Sequence, residues 1–272
     1  MIELRGAAAR TMIQDEVRDR LQQLASQNEQ VRLGLFRVGA RDDDLQYERS
    51  ILRSCEKLGI LVDATAFSED VAEQDLIDAL SKAGQDPNTD GILLFRPLPK
   101  RLQTERILQA IPPQKDIDGA LLENSRFVPC TPEACMYLLK AYDIPVKGKN
   151  CVVIGRSPVV GKPLANLLRE AGANVTVCHT QTKDVPGTTQ QAEILFVACG
   201  KPQMVDRTYL KEGQTVIDVG FHATEDGFCG DVNDADAEEM AAAYTPVPGG
   251  VGAVTLSVLL LHAVQAHERN RT

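Results

Sequence analysis

Strands alternating with helices along the whole chain predict an α/β protein built on parallel sheets. Three observations carry that expectation. Short apolar runs of strand length recur, amphipathic stretches of helix length separate them, and the rhythm breaks once near residues 112–142 before restarting. The break predicts two domains, residues 1–142 joined by a C-terminal helix at 254–272, and residues 143–253.

Ile13, Val17, Leu21 and Leu24 recur at helical spacing, so the N-terminus opens with an amphipathic helix. Val31 to Val38 reads as a strand. A second helix follows, with Leu45, Leu52, Cys55 and Leu58 available for its buried side and Gly59 near its end. Ile60 to Val62 is a strand, Val71 to Ala83 a helix, and Gly91 to Phe95 a third strand that Pro97-Leu98-Pro99 breaks. A short helix with Ile107 and Leu108 leads to Lys115-Asp116-Ile117-Asp118-Gly119, read as a polar loop. Pro132 to Tyr142 is a connecting helix, with Thr131 as N-cap and Pro132 at the first helical position.

The second half holds four strand candidates: Cys151–Ile154, Asn174–Cys178, Ile194–Ala198 and Thr215–Val219. Right-handed crossovers would assemble them into a parallel sheet covered by helices on both faces. The first of them ends in Gly155-Arg156-Ser157, and a helix with Leu164, Leu167, Leu168 and Ala171 on one face follows. Strand, glycine turn and helix N-terminus form an anion site, because unpaired N–H groups and the helix dipole converge there. Gly155 and Gly161 are too far apart for the usual dinucleotide fingerprint, and a lone glycine turn is also compatible with plain chain reversal. The final helix, Val254 to His267, is apolar on most of its surface.

Charged residues make up 25% of the 272 residues, as in ordinary globular chains, and the net charge of −9 argues against nucleic acid or an anionic membrane surface as partner. An anionic ligand must then be held by a local basic pocket. The seven cysteines are scattered singly and the four histidines are dispersed, so no metal site is expected; an odd cysteine count fits a reducing compartment. The first residues lack a signal-peptide run, and the most apolar segment, Val251 to Ala266, is shorter than the ~20 residues of a membrane span. The expectation is a cytoplasmic protein.

Four segments together resemble the methylenetetrahydrofolate dehydrogenase/cyclohydrolase family: Asp90-Gly91-Ile92-Leu93 with Pro97-Leu98-Pro99, Lys115 to Gly119, Gly155 to Pro163, and Thr245 to Gly252. Pro129-Cys130-Thr131-Pro132 and Gly230-Asp231-Val232 add to the resemblance, which spans nearly the whole chain. It implies an N-terminal folate-binding α/β domain, a Rossmann-type NAD(P)-binding domain, a cleft between them, and a homodimer. By the same resemblance the cofactor lies at Gly155, Arg156, Ser157, Val160 and Gly161, with His179 and Thr180 beyond the second strand. That strand ends without the carboxylate that holds a ribose 2′-hydroxyl in NAD-preferring folds, and Arg156 is placed to reach phosphate. NADP is therefore expected, with NAD as runner-up; Lys183 close by reads equally well as a solvated charge. Pro248, Gly249, Gly250 and Gly252, with Thr255, match the family loop that lines the substrate side, where missing Cβ atoms let backbone approach a flat ligand. Tyr47 and Asp118 match the family tyrosine and aspartate that hold the folate and serve catalysis.

The chain also departs from the family pattern. One turn after Tyr47 the family has a lysine on the same face; here the residue is Ile51. The glutamine before the Leu-Pro motif is Phe95, followed by Arg96, which points away from Phe95 if the strand continues through it. The loop after Gly119 is shorter than usual, and Ala134 replaces a common glycine. Removing a hydride from a bound one-carbon bridge needs alignment, whereas opening the oxidised ring needs a proton carrier. The reading is a dehydrogenase with weak or absent cyclohydrolase activity. A bifunctional enzyme with another base such as Arg96, a related oxidoreductase, and a non-catalytic ligand-binding module remain as alternatives; a basic side chain from elsewhere beside Tyr47 and Asp118 would remove the contrast.

Overall fold

The computed structural model describes residues 1–225 and 227–271. The chain opens with a short strand, β1 (Ile2–Glu3), and a long helix, α1 (Gly6–Ser26), in which Ile13, Val17 and Leu24 are buried as their spacing requires. There follow β2 (Arg32–Val38), α2 (Asp42–Leu58), β3 (Leu61–Phe67), α3 (Glu73–Gln85), β4 (Gly91–Leu94) and α4 (Thr104–Leu108). The second half contains α5 (Cys130–Ala141), β5 (Asn150–Ile154), α6 (Gly161–Glu170), β6 (Asn174–Cys178), α7 (Val185–Thr189), β7 (Ile194–Val197) and β8 (Gln214–Asp218). Last come β9 (His222–Thr224), β10 (Gly227–Cys229), α8 (Asp234–Met240), β11 (Ala241–Tyr244) and α9 (Thr255–Arg271).

Two compact units emerge: residues 1–13 with 129–258, and residues 14–128 with 259–272. The division expected at 142/143 falls instead at 128/129, because α5 packs on α6 and on the 3-10 turn at Val251–Ala253. The helix expected at Pro132 starts two residues earlier at Cys130, so Thr131 lies inside it and Pro129 takes the cap position. The helix expected to attach from residue 254 joins the other unit only from residue 259.

In the smaller unit three parallel strands lie in the order β3-β2-β4. β2 is central and buried on both faces, which is why it reads as a loose apolar run rather than a clean alternation. Its core joins Phe36, Leu76, Leu80, Ile92, Leu94 and Ile107. α2 carries three aspartates in its first turn, favourable at the positive end of the helix dipole, and stops at Gly59 in the left-handed conformation (φ 73°). Its deeply buried residues are Asp44, Ile51 and Cys55; Leu45, Leu52 and Leu58 are only half-buried.

The larger unit is a six-stranded, fully parallel sheet in the order β1-β11-β8-β7-β5-β6. All four strands expected in this half are present, and β1, β11 and the β9–β10 hairpin are additional. Chain order reverses between β5 and β7, and it is at such a switch point that the loops beyond the strand ends splay apart and leave a crevice. Val152, Ile154, Leu195, Val197, Val216 and Tyr244 build the core beneath that edge.

Candidate active site

The turn after β5 is closed by backbone packing that excludes side chains. Gly155 has φ 120°, and a Cβ there would lie 2.2 Å from the carbonyl oxygen of Ala198, beyond β7. A Cβ on Gly161, the first residue of α6, would lie 2.2 Å from the Gly155 oxygen. Both glycines are therefore demanded by close approach of strand, turn and helix. Ser157 Oγ accepts from the amides of Val160 (3.1 Å) and Gly161 (3.3 Å), so it caps the helix. Among the described residues the amides of Arg156 and Ser157 donate to no protein acceptor, and Arg156 is exposed. Unpaired amides, a helix N-terminus and a guanidinium fit the pyrophosphate and phosphate groups of a dinucleotide.

Beyond β6, His179 is half-buried and Thr180 and Lys183 are exposed. The His179 amide donates to Thr182 Oγ1 (3.0 Å), and His179 Nδ1 accepts from the Gln181 amide (3.2 Å), which makes a tight polar turn. The nearest carboxylate past the strand, Asp184, is used to cap α7 through the Gly187 amide (2.9 Å).

Two buried carboxylates hold the neighbouring loops of the same edge. Asp231 accepts from the amides of Cys199 (2.7 Å) and Gly200 (2.9 Å) and contacts His222 Nε2 (2.7 Å). Asp218 accepts from the amides of Gly220, Asp231 and Val232 at 2.8–3.0 Å. Burial pushes the Asp218 carboxyl up to about 7 in spite of those three donors, with the nearby Asp231 charge adding to the rise. Sequence reasoning singled out only the Gly230-Asp231-Val232 motif; no local signal pairs it with Cys199 or His222.

The segment from Pro248 also belongs to the larger unit. The Val247–Pro248 peptide is cis and Gly249 has φ 109°. Gly249 O accepts from the Gly6 amide (2.8 Å), and a Cβ on Gly6 would lie 2.4 Å from Gly250 O. The residues after β1 therefore fasten this loop. Gly250 has its own space filled by Pro246 O and Thr245, whereas a Cβ on Gly252 would meet nothing within 4 Å. The glycine at 250 is thus required by packing within the loop, whereas no neighbouring atom requires one at 252. Thr255 Oγ1 donates to Gly252 O (3.1 Å).

In the smaller unit, Lys115 to Ile117 is not the polar loop expected but a buried rail beside β4. Lys115 is 7% exposed, Asp116 1% and Ile117 0%. The Ile92 amide donates to Lys115 O (2.7 Å), Lys115 Nζ donates to Asp86 O (2.6 Å), and Asp116 accepts from the amides of Ala120 (3.0 Å) and Leu121 (2.8 Å). His262 Nδ1 lies 2.8 Å from Ile117 O. Asp118 follows directly, on a backbone fixed from several sides.

Asp118 does not stand alone. Arg96 Nη2 donates to its Oδ2 at 2.7 Å, with about a quarter of each side chain exposed. Strand β4 ends at Leu94, so the alternation that would turn Arg96 away from Phe95 does not run through it; Arg96 meets Asp118 and Phe95 meets Tyr47. Arg41 Nη2 approaches Arg96 O at 3.3 Å while holding Asp44 through two further bonds. Tyr47, 36% exposed, meets Phe95 edge-on with ring centroids 5.9 Å apart. Ile51, one turn on, is completely buried. The smaller unit thus brings Tyr47 to Phe95 and Asp118 to Arg96. The signal for the second pair was an arginine closing an otherwise apolar strand.

Residues 4–118 match the family model for the tetrahydrofolate dehydrogenase/cyclohydrolase catalytic domain, and residues 129–271 that for its NAD(P)-binding domain. The bifunctional protein FolD of Clostridioides difficile is 40% identical, covering 97% of this chain and 95% of its own. The crystal structure of the bifunctional FolD methylenetetrahydrofolate dehydrogenase/cyclohydrolase of Campylobacter jejuni superposes with a TM-score of 0.93 at 35% identity, covering 99% of each chain. The Trypanosoma brucei enzyme, whose structure is complexed with NADP cofactor and an inhibitor, gives 0.90 at 29% identity over 99% of this chain and 98% of that one. Matched over both of its units and over nearly its full length, this chain belongs to the tetrahydrofolate dehydrogenase/cyclohydrolase family.

Proposed function

We infer that this enzyme oxidises 5,10-methylenetetrahydrofolate to the 5,10-methenyl cation with NADP as acceptor, and hydrolyses that cation slowly or not at all. The observation that carries the reading is Ile51: the position one helical turn beyond Tyr47 is apolar and completely buried. A bound nicotinamide dinucleotide supplies the hydride acceptor, and Gly155, Arg156, Ser157, Val160, Gly161, His179 and Thr180 are the residues that would hold it. In the smaller unit Tyr47 and Asp118 are the residues that would hold the folate; in the larger unit Pro248, Gly249, Gly250, Gly252 and Thr255 form the loop that family resemblance assigns to substrate, with Gly250 also required by packing within the loop. The positive charge left after hydride loss spreads over two folate nitrogens, so oxidation asks for alignment and no proton acceptor.

Hydrolysis asks for more. Water must be activated and a ring nitrogen protonated, steps for which a positioned acid–base group contributes roughly 10²–10⁴-fold. Arg96 is the basic group that meets Asp118, yet a guanidinium keeps its proton throughout the physiological range and does not cycle it. The second reading, an enzyme with both activities, draws on the bifunctional names of the relatives. NADP is favoured over NAD by exposed Arg156 and by the engagement of Asp184 in helix capping. The free cysteines and the net charge of −9 support a cytoplasmic enzyme without nucleic-acid partners, and family resemblance supports a homodimer.

The test is a turnover assay of purified enzyme with methylenetetrahydrofolate and each dinucleotide, following NAD(P)H formation and methenyl absorbance separately. Reduced cofactor accompanied by accumulating methenyl product is expected. Methenyl loss well above the uncatalysed rate would overturn the proposed deficit, and absence of hydride transfer would overturn the dehydrogenase reading.

A further inference from the structure

We propose that Arg96 is a positioning and specificity-determining residue that cancels the charge of Asp118, so that the site prefers neutral substrate to cationic product. This rests on the reading that Asp118 receives the folate ring. Three observations carry it. Arg96 binds one carboxylate oxygen, Oδ2, at 2.7 Å, and among the described residues Oδ1 makes no hydrogen bond. The pair is largely shielded, with side-chain exposures of 25% and 28%, so its electrostatics are only partly screened by solvent. The Arg96 backbone is held in turn, its carbonyl oxygen facing Arg41 Nη2 at 3.3 Å and Arg41 being locked to Asp44.

The reaction changes the charge of what is bound. Methylenetetrahydrofolate carries no charge at its one-carbon bridge, whereas the product is a delocalised cation. An uncompensated aspartate would hold that cation more tightly than the substrate, by roughly three- to tenfold for one unit charge in a half-buried site. A tightly held product is released slowly. With Arg96 on Oδ2 the aspartate keeps an acceptor for the ring through Oδ1 but presents a compensated charge. Arginine performs this task for the same reason that it is a poor base: its proton is permanent.

The experiment compares the inhibition constant of methenyltetrahydrofolate with the KM of methylenetetrahydrofolate in wild type, R96M and R96K. R96M removes the charge at similar length and should lower the ratio of inhibition constant to KM by about three- to tenfold. R96K restores the charge and should return the ratio to within about twofold of wild type. A merely structural role for Arg96 would move both constants together and leave their ratio unchanged, which would overturn the proposal. D118N in the R96M background tests the same claim where R96M binds poorly: the ratio should return towards wild type, and a ratio as low as that of R96M refutes the role of the aspartate charge. Wild-type enzyme that fails to oxidise methylenetetrahydrofolate refutes the underlying reading and this proposal with it. Normal oxidation with an unmoved ratio refutes only the role of Arg96.

Discussion

Replacing Ile51 by lysine tests the distinction between oxidation and hydrolysis at one position. Ile51 is 0% exposed and sits one turn from buried Cys55, so its side chain contributes about 1.5–3 kcal/mol through burial. A lysine stem retains part of that packing while its ammonium seeks water. Helical side chains lean toward the N-terminus, so the ammonium at this position would emerge over the turn that carries half-exposed Tyr47. We expect I51K to lose about 1–3 kcal/mol, a fall of roughly 3–10 °C in Tm for a chain of this size. Methenyl hydrolysis should rise at least about tenfold, short of the 10²–10⁴-fold of a fully positioned group. I51M, apolar and of similar volume, is the control that separates loss of packing from gain of chemistry. Hydrolysis is followed by the decay of methenyl absorbance without dinucleotide, and folding by circular dichroism. A folded I51K no faster than I51M would refute the reasoning, as would wild-type hydrolysis already about a hundredfold above background.

Three further outcomes are expected. R156A should raise the KM for NADP by about 10–100-fold, the value of a charge-assisted phosphate contact, with NAD changed less than about twofold; equal effects on both would place Arg156 away from the 2′-phosphate. The folded Asp218 carboxyl, at about 7, holds its proton more tightly than its ordinary value of 3.8. The resulting stability is complete below pH 3.8 and is lost as pH rises through about 7, by at most about 1.4 kcal/mol per pH unit. Denaturant titrations of D218N should show a flatter pH profile than wild type over that window, and parallel profiles would contradict the shift. Burial pushes the half-buried Cys199 thiol up to about 12, so its thiolate is scarce at pH 8. Labelling of native enzyme by an aromatic disulfide should run roughly 10²–10³-fold slower than that of unfolded chain; a fast native phase would argue against it.

The α/β rhythm was legible because each element buries a contiguous apolar set, as in β2, β5 and β7. Strands β1 and β11 escaped notice because one spans two residues and the other reads Ala-Ala-Ala-Tyr, without β-branched side chains. The glycine turn was readable as an anion site, yet its reason lies in two carbonyl oxygens 2.2 Å from where a Cβ would stand, one of them just past the end of another strand. Lys115 and Asp116 looked exposed because both are charged, but their partners lie at Asp86 and at Ala120 and Leu121. The direction of Arg96 was tied to strand alternation running through it, and the strand had already ended. Local pattern therefore reported burial well within regular elements and poorly where the chain left them, as at Lys115 and Asp116.

The turn between Gly155 and Gly161 joins two positions that admit no side chain to an exposed run, Arg156 to Val159, of which Ser157 is tied back to the amides of Val160 and Gly161. The two glycines and Ser157 bear the mechanical constraint, while Arg156 and Val159 are free to exchange charge or size with little penalty to folding. Should Arg156 contact the coenzyme as proposed, coenzyme preference could be re-engineered at low risk, because Arg156 is not among the residues that keep the turn closed.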